Sequence, residues 1–396
     1  MSLTSNPRLL VTLSGLHFTL FAIPVITLFW KDQIGMSVTD IMVLQAVFGV
    51  SIVLLEFPSG YLADRVGYRA SLLVGAILAI IGWIAYARGE SFAAIVVAES
   101  ILGAASAFIS GADRALLWVS LEAAGRKDEY LRWDGRVRAA AQTSEAASAA
   151  VGGWLYALHP RLPLWMQVPA AAMALATVIA LAEVPRPKST DGSHLRRAVH
   201  VLRFSLWRHR RLPAALGLAV TLGLSSFVMV WLIQPYMQAR SVPVGWFGPF
   251  WAGAHLWLAG VSLVSARVRE IFGVRGALLV CWLLIPLGYA GLAASASWWG
   301  AGFYLCFMTL RGLQGPIVAS VIQEDAPPED RAAVLSLAAL LFRLAFVVTG
   351  PALGALVDRA GMETALIVAG AGFSAVSLAA LAVFSRAHRR ARGAGG

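Results

Sequence analysis

Residues 60–69 read GYLADRVGYR and place one acid and two arginines between two long apolar runs. The run before this stretch is IMVLQAVFGVSIVLLEFPS (41–59), and the run after it is ASLLVGAILAIIGWIAYA (70–87). A helix needs about 20 mainly apolar residues to cross the hydrocarbon core of a bilayer, and each run approaches that length. The stretch therefore predicts a short polar turn between two membrane-spanning helices.

The composition of the chain is that of an integral membrane protein. Of its 396 residues, 59% are hydrophobic and 13% are charged, and the mean hydropathy is +0.72. Soluble domains carry about 25% charged residues, so water is not the main solvent of this chain. The two cysteines, Cys281 and Cys306, lie inside apolar runs, which excludes a disulfide framework and argues against a metal site built on them.

Apolar runs of membrane-spanning length recur along the whole sequence. The N-terminal residues lack the basic region and cleavage site of a signal peptide, and their apolar run continues through Trp30, so we expect a first span there. The twelve predicted spans lie near residues 8–30, 39–61, 70–88, 92–119, 137–158, 163–184, 212–238, 246–266, 276–296, 298–323, 332–357 and 362–385.

The net charge of +11 is explained by where the basic residues fall relative to these spans. If the N-terminus lies inside, 24 of the 32 lysines and arginines fall on one side of the membrane. We call this the basic side; it holds the segments before span 1 and after spans 2, 4, 6, 8, 10 and 12. An excess of Lys and Arg marks the cytoplasmic side, so both termini are predicted to be cytoplasmic and nucleic acid is not expected as a partner.

A polar linker divides the predicted spans into two groups of six. We predict an N-terminal six-helix bundle over residues 1–184, a cytoplasmic linker over 185–211 and a C-terminal six-helix bundle over 212–396. Apolar residues recur at helical spacing inside the linker, which predicts an amphipathic helix on the inner leaflet with Trp207 at headgroup depth. These apolar positions are Leu195, Val199, Leu202 and Leu206.

The polar turn after span 2 has a counterpart after span 8. The two turns share an acid, a glycine three residues later and an arginine five residues after the acid, at an offset of 206 residues. Their members are Asp64, Gly67 and Arg69 in the first turn, and Glu270, Gly273 and Arg275 in the second. Two parallel six-span repeats are typical of transporters built from related halves.

The pattern Gly60-x-Leu62-x-Asp64-Arg65-x-Gly67 after the second of twelve spans resembles the signature of the major facilitator superfamily. The stretches at 110–121 and 311–337 resemble the smaller prokaryotic exporter-type members, which include drug and metabolite efflux proteins. The resemblance implies an all-α integral membrane fold, with twelve transmembrane helices in two pseudo-repeated six-helix bundles around a central cavity. It further implies a secondary transporter of a bacterial inner membrane that works by alternating access, and not an enzyme.

The resemblance also implies a cytoplasmic latch at the polar turn after span 2. There Asp64 would face the positive N-terminal end of span 11, which begins near Arg331. A basic residue is usual in the family where this chain has Tyr68. The alternative is a simple topogenic turn. The predicted gate and latch residues are Gly60, Asp64, Arg65, Gly67, Arg69, Asp113, Arg114, Glu270, Gly273 and Arg275.

Charged residues inside spans are costly and commonly face a partner or a wet cavity. Glu99 in span 4 occupies the place where many family antiporters carry an Arg followed four residues later by Gly. That Arg-x-x-x-Gly pattern is found instead at Arg311 in span 10, and the resemblance implies that spans 4 and 10 both line the central cavity. Functional roles for both residues compete with a structural ion pair or a satisfied polar contact between helices.

Glu145 lies in span 5, in the alanine- and serine-rich stretch AAAQTSEAASAAVGG. The Gly-Pro-Gly-Gly signature that family antiporters carry here is reduced to Gly152-Gly153. Because burial disfavours the charged form of a carboxyl group, Glu145 is, with Glu99, a candidate for proton coupling. The alternative is a packing or gate carboxylate. The full set of candidate cavity residues is His17, Glu99, Gln142, Glu145, Gln234, His255, Arg311 and Gln314.

The sequence contains no phosphate-binding loop and no His or Cys pair at metal-ligand spacing, so we expect no ATP, cofactor or metal. The leading hypothesis is a monomeric, proton-coupled exporter of a small amphipathic or charged compound, with a different coupling ion left open. A second is uptake or exchange of an anionic or zwitterionic metabolite bound by Arg311. A third is a non-transporting receptor or partner protein on the same fold. Each requires the lipid bilayer.

Overall fold

The structure is a computed structural model that describes residues 3–184, 202–209, 211–327 and 330–393. The regular elements of these residues are helices. Most of the predicted linker helix, including Leu195 and Val199, lies outside the described residues. Its described end forms a π-helical turn over Phe204–Arg208, in which Trp207 is 72% exposed.

The chain divides into two compact units. The first comprises Met1–Thr190 and Pro243–Gly253, and the second comprises Asp191–Val242 and Ala254–Gly396. The first unit contains α1 (Asn6–His17), α2 (Val38–Arg65), α3 (Tyr68–Arg88), α4 (Phe92–Ile109), α5 (Ala112–Ala123), α6 (Tyr130–Leu158) and α7 (Gln167–Ala180). The second contains α8 (Leu212–Ala239), most of α9 (Phe247–Ala294), α10 (Tyr304–Asp325), α11 (Arg331–Ala360) and α12 (Met362–Gly393).

Nine helical segments of the described residues are long and apolar enough to cross a membrane. One of them, Val244–Ala294, contains predicted spans 8 and 9, and Gly273 with φ 65° interrupts the helix between them. The two predicted spans without a counterpart among the nine are the first and the fifth. Span 5 is the continuous helix α6, whose first two turns carry several charged residues. Span 1 differs from the prediction in its backbone.

The first span is a broken helix, so the prediction of one continuous span over 8–30 was wrong in this detail. Helix α1 ends at His17, residues 18–25 are irregular, and helical structure resumes only at Ile26. Pro24 explains part of the break, since it lacks an N–H and disfavours helical geometry at the preceding residue. A short α-helical turn and the π-helical turn Phe29–Gln33 follow. We call residues 26–33 the outer piece of span 1.

The break leaves backbone N–H and C=O groups without helical hydrogen bonds, and side chains of neighbouring helices bond to them instead. Such bonds are required inside a bilayer, where water is absent. The hydroxyl of Ser148 on α6 accepts a hydrogen bond from the N–H of Leu20 at 2.8 Å. The side-chain amide of Gln167 on α7 bridges the carbonyl of Thr19 and the N–H of Phe21. Beside the break lies a cavity of about 30 Å³ whose polar lining residues are His17, Thr19 and Gln167. A cavity of this volume has room for about two water molecules.

In the first unit, α4 packs between α2 and α3, while α1 packs against α6 and α7. Small residues permit the close approach of α4 to its neighbours. A Cβ atom added at Gly103 would lie 2.7 Å from the Cβ of Ser51 on α2, and one added at Gly82 of α3 would lie 2.6 Å from Leu102 of α4. Side chains on α2, α3 and α4 can therefore meet in the interior of the unit.

In the second unit, α8 is the central helix, and α10, α11 and α12 pack against it. Its side chains are buried along most of its length, including Leu222, Val228 and Ile233, each at most 1% exposed. Tyr289 of α9 donates a hydrogen bond to the carbonyl of Ser225 on α8 at 2.8 Å. A helix that is apolar on all sides is expected at the centre of a bundle.

Candidate functional site

Glu99 lies inside the first unit in a hydrogen-bonded network that joins four segments of the chain. Its carboxyl group is buried, with 7% of the residue exposed. Gln45 of α2 donates a hydrogen bond from Nε2 to Oε1 of Glu99 at 3.2 Å. The hydroxyl of Tyr86 on α3 lies next to the same carboxyl group and interacts with it. Trp30 of the outer piece donates from its indole nitrogen to the Tyr86 oxygen at 2.9 Å.

The Glu99 carboxyl group contacts uncharged donors and lies well away from the helix ends. Glu99 is seven residues from the start of α4, and Gln45 is seven residues from the start of α2. At 1.5 Å per residue, both lie about 10 Å from the helix ends opposite the basic side. In the described chain, no Lys, Arg or His side chain forms an ion pair with Glu99. The arrangement is thus a polar contact between helices without a cation, in which the carboxyl group can be either charged or protonated.

Three of the four members of this network were not predicted from sequence. Gln45 is the one amide in an otherwise apolar stretch, which is a signal that could have been used. Trp30 and Tyr86 are aromatic residues with polar atoms near the ends of spans 1 and 3, a position where such residues are common without any special role. Their contact with Glu99 depends on helix packing and has no local sequence signal.

Glu145, the other predicted proton-coupling residue, is also buried, with 8% exposed. It lies on α6 beside Ser148, whose hydroxyl donates to the backbone carbonyls of Ser144 at 2.7 Å and of Glu145 at 3.2 Å. Gln142, one turn earlier, is exposed. The structure therefore places Glu145 near the break in span 1, because the nearby Ser148 hydroxyl also accepts from the N–H of Leu20.

The signature turn that joins α2 to α3 is fastened to the end of α7. Gly67 has φ 132°, and a Cβ atom added there would lie 2.4 Å from Oε2 of Glu183. That oxygen accepts a hydrogen bond from the backbone N–H of Arg69 at 2.9 Å. In return the Arg69 guanidinium donates to the carbonyl of Ile179 at 2.8 Å and to that of Val178 at 3.4 Å. A carboxylate at the start of α3 and a guanidinium at the end of α7 both complement the helix dipoles.

The other signature residues do not take part in these hydrogen bonds to the end of α7. Gly60, Asp64 and Arg65 are exposed, and the Arg65 guanidinium lies 5.1 Å from the centre of the Tyr61 ring. The latch role of Asp64 stays a prediction. Glu183 was not predicted from sequence as a site residue. The sequence signal that could have identified it is an acid directly after a long apolar run.

The second unit repeats features of the first at nearly the same offset as the two polar turns. Gly273 has a positive φ as Gly67 does, at an offset of 206 residues. In the first unit Asn6 donates to the hydroxyl of Ser120 at 2.8 Å. At an offset of 205 residues, Arg211 lies 3.3 Å from the carboxylate of Asp325. The first unit thus has an uncharged contact between the start of span 1 and the end of span 4, where the second unit has an ion pair between the start of span 7 and the end of span 10.

Asp113 and Arg114 lie just after a break between α4 and α5, where Gly111 has φ 85°. Arg114 is exposed and lies 3.8 Å from Asp134 on α6, which also pairs with Arg138 at 2.8 Å. Asp113 accepts a hydrogen bond from the backbone N–H of Arg114 at 2.7 Å. Both residues therefore belong to a charged cluster on the basic side of the first unit.

The predicted cavity residues of the second unit lie on three helices. Arg311 of α10 is partly buried and within electrostatic range of His255 on α9. No carboxylate of the described residues forms an ion pair with Arg311. Gln234 of α8 is 1% exposed, and Gln314 lies on α10 close to Gly223. The described residues contain no group of three or more His, Cys, Asp or Glu side chains arranged to hold a metal ion.

The fastening of the signature turn predicts a stability effect. Arg69→Met removes the two hydrogen bonds from the guanidinium to the carbonyls of Val178 and Ile179, so we expect a loss of about 2 kcal/mol in stability, since a hydrogen bond to a charged group contributes about 1.5–3 kcal/mol. The measurement is the melting temperature of the purified protein in detergent. Arg65→Met is the matched control, because this exposed arginine should change stability by less than about 0.5 kcal/mol. Equal melting temperatures for the two variants would refute the fastening.

Comparison with known proteins gives a family match over most of the chain. Residues 9–350 match the family model described as Major Facilitator Superfamily. The quinolone resistance protein NorA of Staphylococcus aureus is 24% identical over 205 residues, which cover 52% of this chain and 51% of NorA. An MFS-type transporter of Mycobacterium tuberculosis is 24% identical over 351 residues, 85% of this chain and 80% of that protein. The NorA match thus spans about half the length of either protein.

Solved transporter structures share the fold. The nucleoside transporter NupG superposes with a TM-score of 0.80 at 14% identity, covering 96% of this chain and 99% of NupG. A D-xylose–proton symporter gives a TM-score of 0.75 at 15% identity, covering 97% of this chain and 98% of the symporter. The predicted all-helical membrane fold is confirmed by these matches, which at such low identity concern the fold alone.

Proposed function

The chain belongs to the Major Facilitator Superfamily and is a secondary transporter, and from this premise we propose that it exports a small amphipathic or charged compound in exchange for protons. The observation that carries the proposal is the buried carboxyl group of Glu99, which has donors beside it and forms no ion pair with a cation of the described residues. Burial opposes its charge and the two donors stabilise its charge, so neither form is strongly excluded. A group of this kind can take up and release a proton during a transport cycle.

The coupling follows from competition between proton and substrate. An exporter that exchanges protons for substrate needs a site whose proton leaves when substrate binds, and whose protonation resets the empty carrier. Glu99 is the acid we assign to this step. Glu145 is the second candidate, and its position beside the broken span would place it nearer to a moving part of the backbone.

The direction and setting of transport form part of the same proposal. We infer export because the first half of the chain carries the exporter-like stretch at 110–121 and because part of the chain is similar to NorA, a quinolone resistance protein. The excess of basic residues supports a bacterial inner membrane with both termini in the cytoplasm. Asp64 would latch the basic side when the carrier opens outward, and residues 185–211 would link two six-helix bundles, 1–184 and 212–396.

The test is proton-driven transport in proteoliposomes. Purified full-length protein is reconstituted with a fluoroquinolone or ethidium as fluorescent probe, and a pH gradient is imposed across the membrane. We expect uphill movement of at least one probe against proton flow, with loss of that movement when a protonophore collapses the gradient. Empty liposomes are the control. Probe movement that continues unchanged without the gradient would contradict proton coupling.

A second candidate function rests on Arg311. An arginine within a span that has no carboxylate partner in the described chain is suited to bind an anionic group of a substrate. The alternative is therefore uptake or exchange of an anionic or zwitterionic metabolite, with His255 as a polar neighbour.

A substitution separates the two candidate functions. Arg311→Ala is expected to reduce transport of a carboxylate-bearing probe at least tenfold and to change ethidium transport little, because ethidium has no anionic group for the guanidinium to bind. Initial rates with both probes in proteoliposomes provide the measurement. An equal loss for both probes would show that Arg311 is needed for the fold or the cycle instead of for anion binding. The control is Arg88→Ala, because Arg88 is exposed. Arg161→Ala is unsuitable as a control, because Arg161 caps α3.

A further inference from the structure

The hydrogen bonds around Glu99 have a fixed direction that begins at the first span. An indole N–H can only donate, so the contact between Trp30 and Tyr86 makes the Tyr86 oxygen the acceptor. The phenolic proton of Tyr86 is then available to the neighbouring carboxyl group of Glu99. Trp30 thus orients Tyr86 as a donor toward the carboxyl group. Trp30 and Tyr86 are both fully buried, so water does not compete for these bonds.

The backbone that carries Trp30 is separated from the rest of span 1 by the irregular residues 18–25. Trp30 belongs to the π-helical turn Phe29–Gln33 in the outer piece, and π-helical turns are frequent at functional positions. The end of α3 that carries Tyr86 is held by Arg161, whose guanidinium also lies 5.5 Å from the centre of the Phe29 ring in the outer piece. The guanidinium of Arg161 donates to the carbonyls of Ala87 at 2.8 Å and Gly89 at 2.9 Å, which closes the end of α3.

We propose that Trp30 and Tyr86 are positioning residues that link the placement of the outer piece of span 1 to the protonation of Glu99. While the outer piece is seated, Trp30 holds the Tyr86 hydroxyl toward Glu99, and the carboxylate has two donors. When the outer piece moves, the Tyr86 hydroxyl rotates freely and the carboxylate keeps Gln45 alone, which favours proton uptake. By linkage, protonation of Glu99 favours release of the outer piece to the same extent. This inference rests on the proposed role of Glu99 in proton coupling.

The polar contacts of the Glu99 carboxyl group among the described residues are Gln45 of α2 and Tyr86 of α3, of which Tyr86 is titratable. The charged residues of the surrounding elements on this side of the unit lie at or beyond helix ends: Lys31, Asp32, Asp40, Arg88, Glu90 and Arg161. Asp40 is engaged by Ser37, whose N–H and hydroxyl donate to it at 3.0 and 2.8 Å. A change at Trp30 therefore reaches Glu99 through Tyr86.

The experiment measures the pH dependence of probe transport by the full-length protein, together with the carboxyl C=O band of Glu99 by infrared titration. Tyr86→Phe deletes one donor to the carboxylate, so the midpoint of both profiles is expected to move to higher pH by about one unit. Trp30→Phe keeps an aromatic ring but deletes the indole N–H, and should move the midpoint in the same direction by about half a unit, since Tyr86 still reaches Glu99 part of the time.

The double variant distinguishes positioning from a merely structural role. If Trp30 acts through Tyr86, adding Trp30→Phe to Tyr86→Phe causes no further shift of the midpoint. Trp83→Phe is the matched control, because the Trp83 ring lies 5.7 Å from the Tyr86 ring and should leave the midpoint unchanged. Equal shifts from Trp30→Phe in both backgrounds, or lower rates with an unmoved midpoint, overturn the inference. If one single variant does not fold, the midpoint of the other decides.

The same data separate this inference from the proposed function. If the infrared band and the pH dependence both survive in Glu99→Gln, Glu99 is not the proton site, and the proposed proton coupling through Glu99 and this inference fall together. If Glu99→Gln removes both signals while Trp30→Phe and Tyr86→Phe leave the midpoint where it was, proton coupling through Glu99 stands and the positioning role of Trp30 and Tyr86 is refuted.

Discussion

Glu99→Gln is expected to abolish uphill transport of the probe while the protein still folds and inserts. The amide keeps the size of the side chain and an oxygen that can accept from Tyr86, so the packing among α2, α3 and α4 is preserved. An amide cannot bind and release a proton in this pH range, so the pH gradient no longer drives the cycle. The measurement is probe accumulation in proteoliposomes with and without an imposed pH gradient, where we expect a loss of at least tenfold in the gradient-driven component.

The control is Glu90→Gln, which neutralises an exposed acid just before α4. It changes the net charge as Glu99→Gln does, but it should leave gradient-driven transport intact. Downhill exchange of probe is expected to persist in Glu99→Gln, because the carrier can still move between its states when loaded. Gradient-driven accumulation by Glu99→Gln at the wild-type level would refute the assignment of Glu99 and direct attention to Glu145.

Gly152→Ala is expected to destabilise the first unit, because the added methyl group would collide with backbone. A Cβ atom at this position of α6 would lie 2.3 Å from the carbonyl oxygen of Phe21 and 2.8 Å from Pro24. Both neighbours belong to the broken part of span 1, whose backbone is held by Ser148 and cannot retreat without losing that bond. Overpacking of this kind typically costs about 1–3 kcal/mol, and contact with backbone places this site at the upper end.

Gly217→Ala is the matched control for this substitution. Gly217 lies inside α8, and a Cβ atom added there meets no atom within 4 Å. Alanine in a helix interior is more favourable than glycine by about 0.5–1 kcal/mol, so this variant should be as stable as wild type or slightly more stable. Melting temperatures of the two variants in detergent provide the measurement. A Gly152→Ala protein that melts with the wild type would show that span 1 is not fastened to α6 as described.

The spans and the signature turn could be predicted from sequence because both follow from local chemistry. Long apolar runs define helices in a bilayer, and the two glycines that the turn pattern singled out, Gly67 and Gly273, both have a positive φ in the structure. Contacts in the two units also correspond at nearly this offset of 206 residues. The contact of Asn6 with Ser120 in the first unit corresponds to the contact of Arg211 with Asp325 in the second.

The contacts of the candidate site could be predicted only in part. Glu99 was singled out because an acid in an apolar run is costly, but its donors lie 54 and 13 residues away on other helices, at Gln45 and Tyr86. Which side chains meet across helices depends on helix rotation and on close approach at glycines such as Gly103, and neither has a local signal. The break at 18–25 was missed for the same reason, since Ser148 and Gln167 stabilise it from distant helices.

Proton release on substrate binding decides whether Glu99 exchanges its proton for substrate. Purified protein in weakly buffered detergent solution, with a pH indicator dye, is mixed with whichever probe is transported in proteoliposomes. We expect the wild-type protein to release protons when it binds the probe near the midpoint of its pH profile, and Glu99→Gln to bind the probe without releasing any. Equal proton release by the wild type and by Glu99→Gln would contradict this expectation.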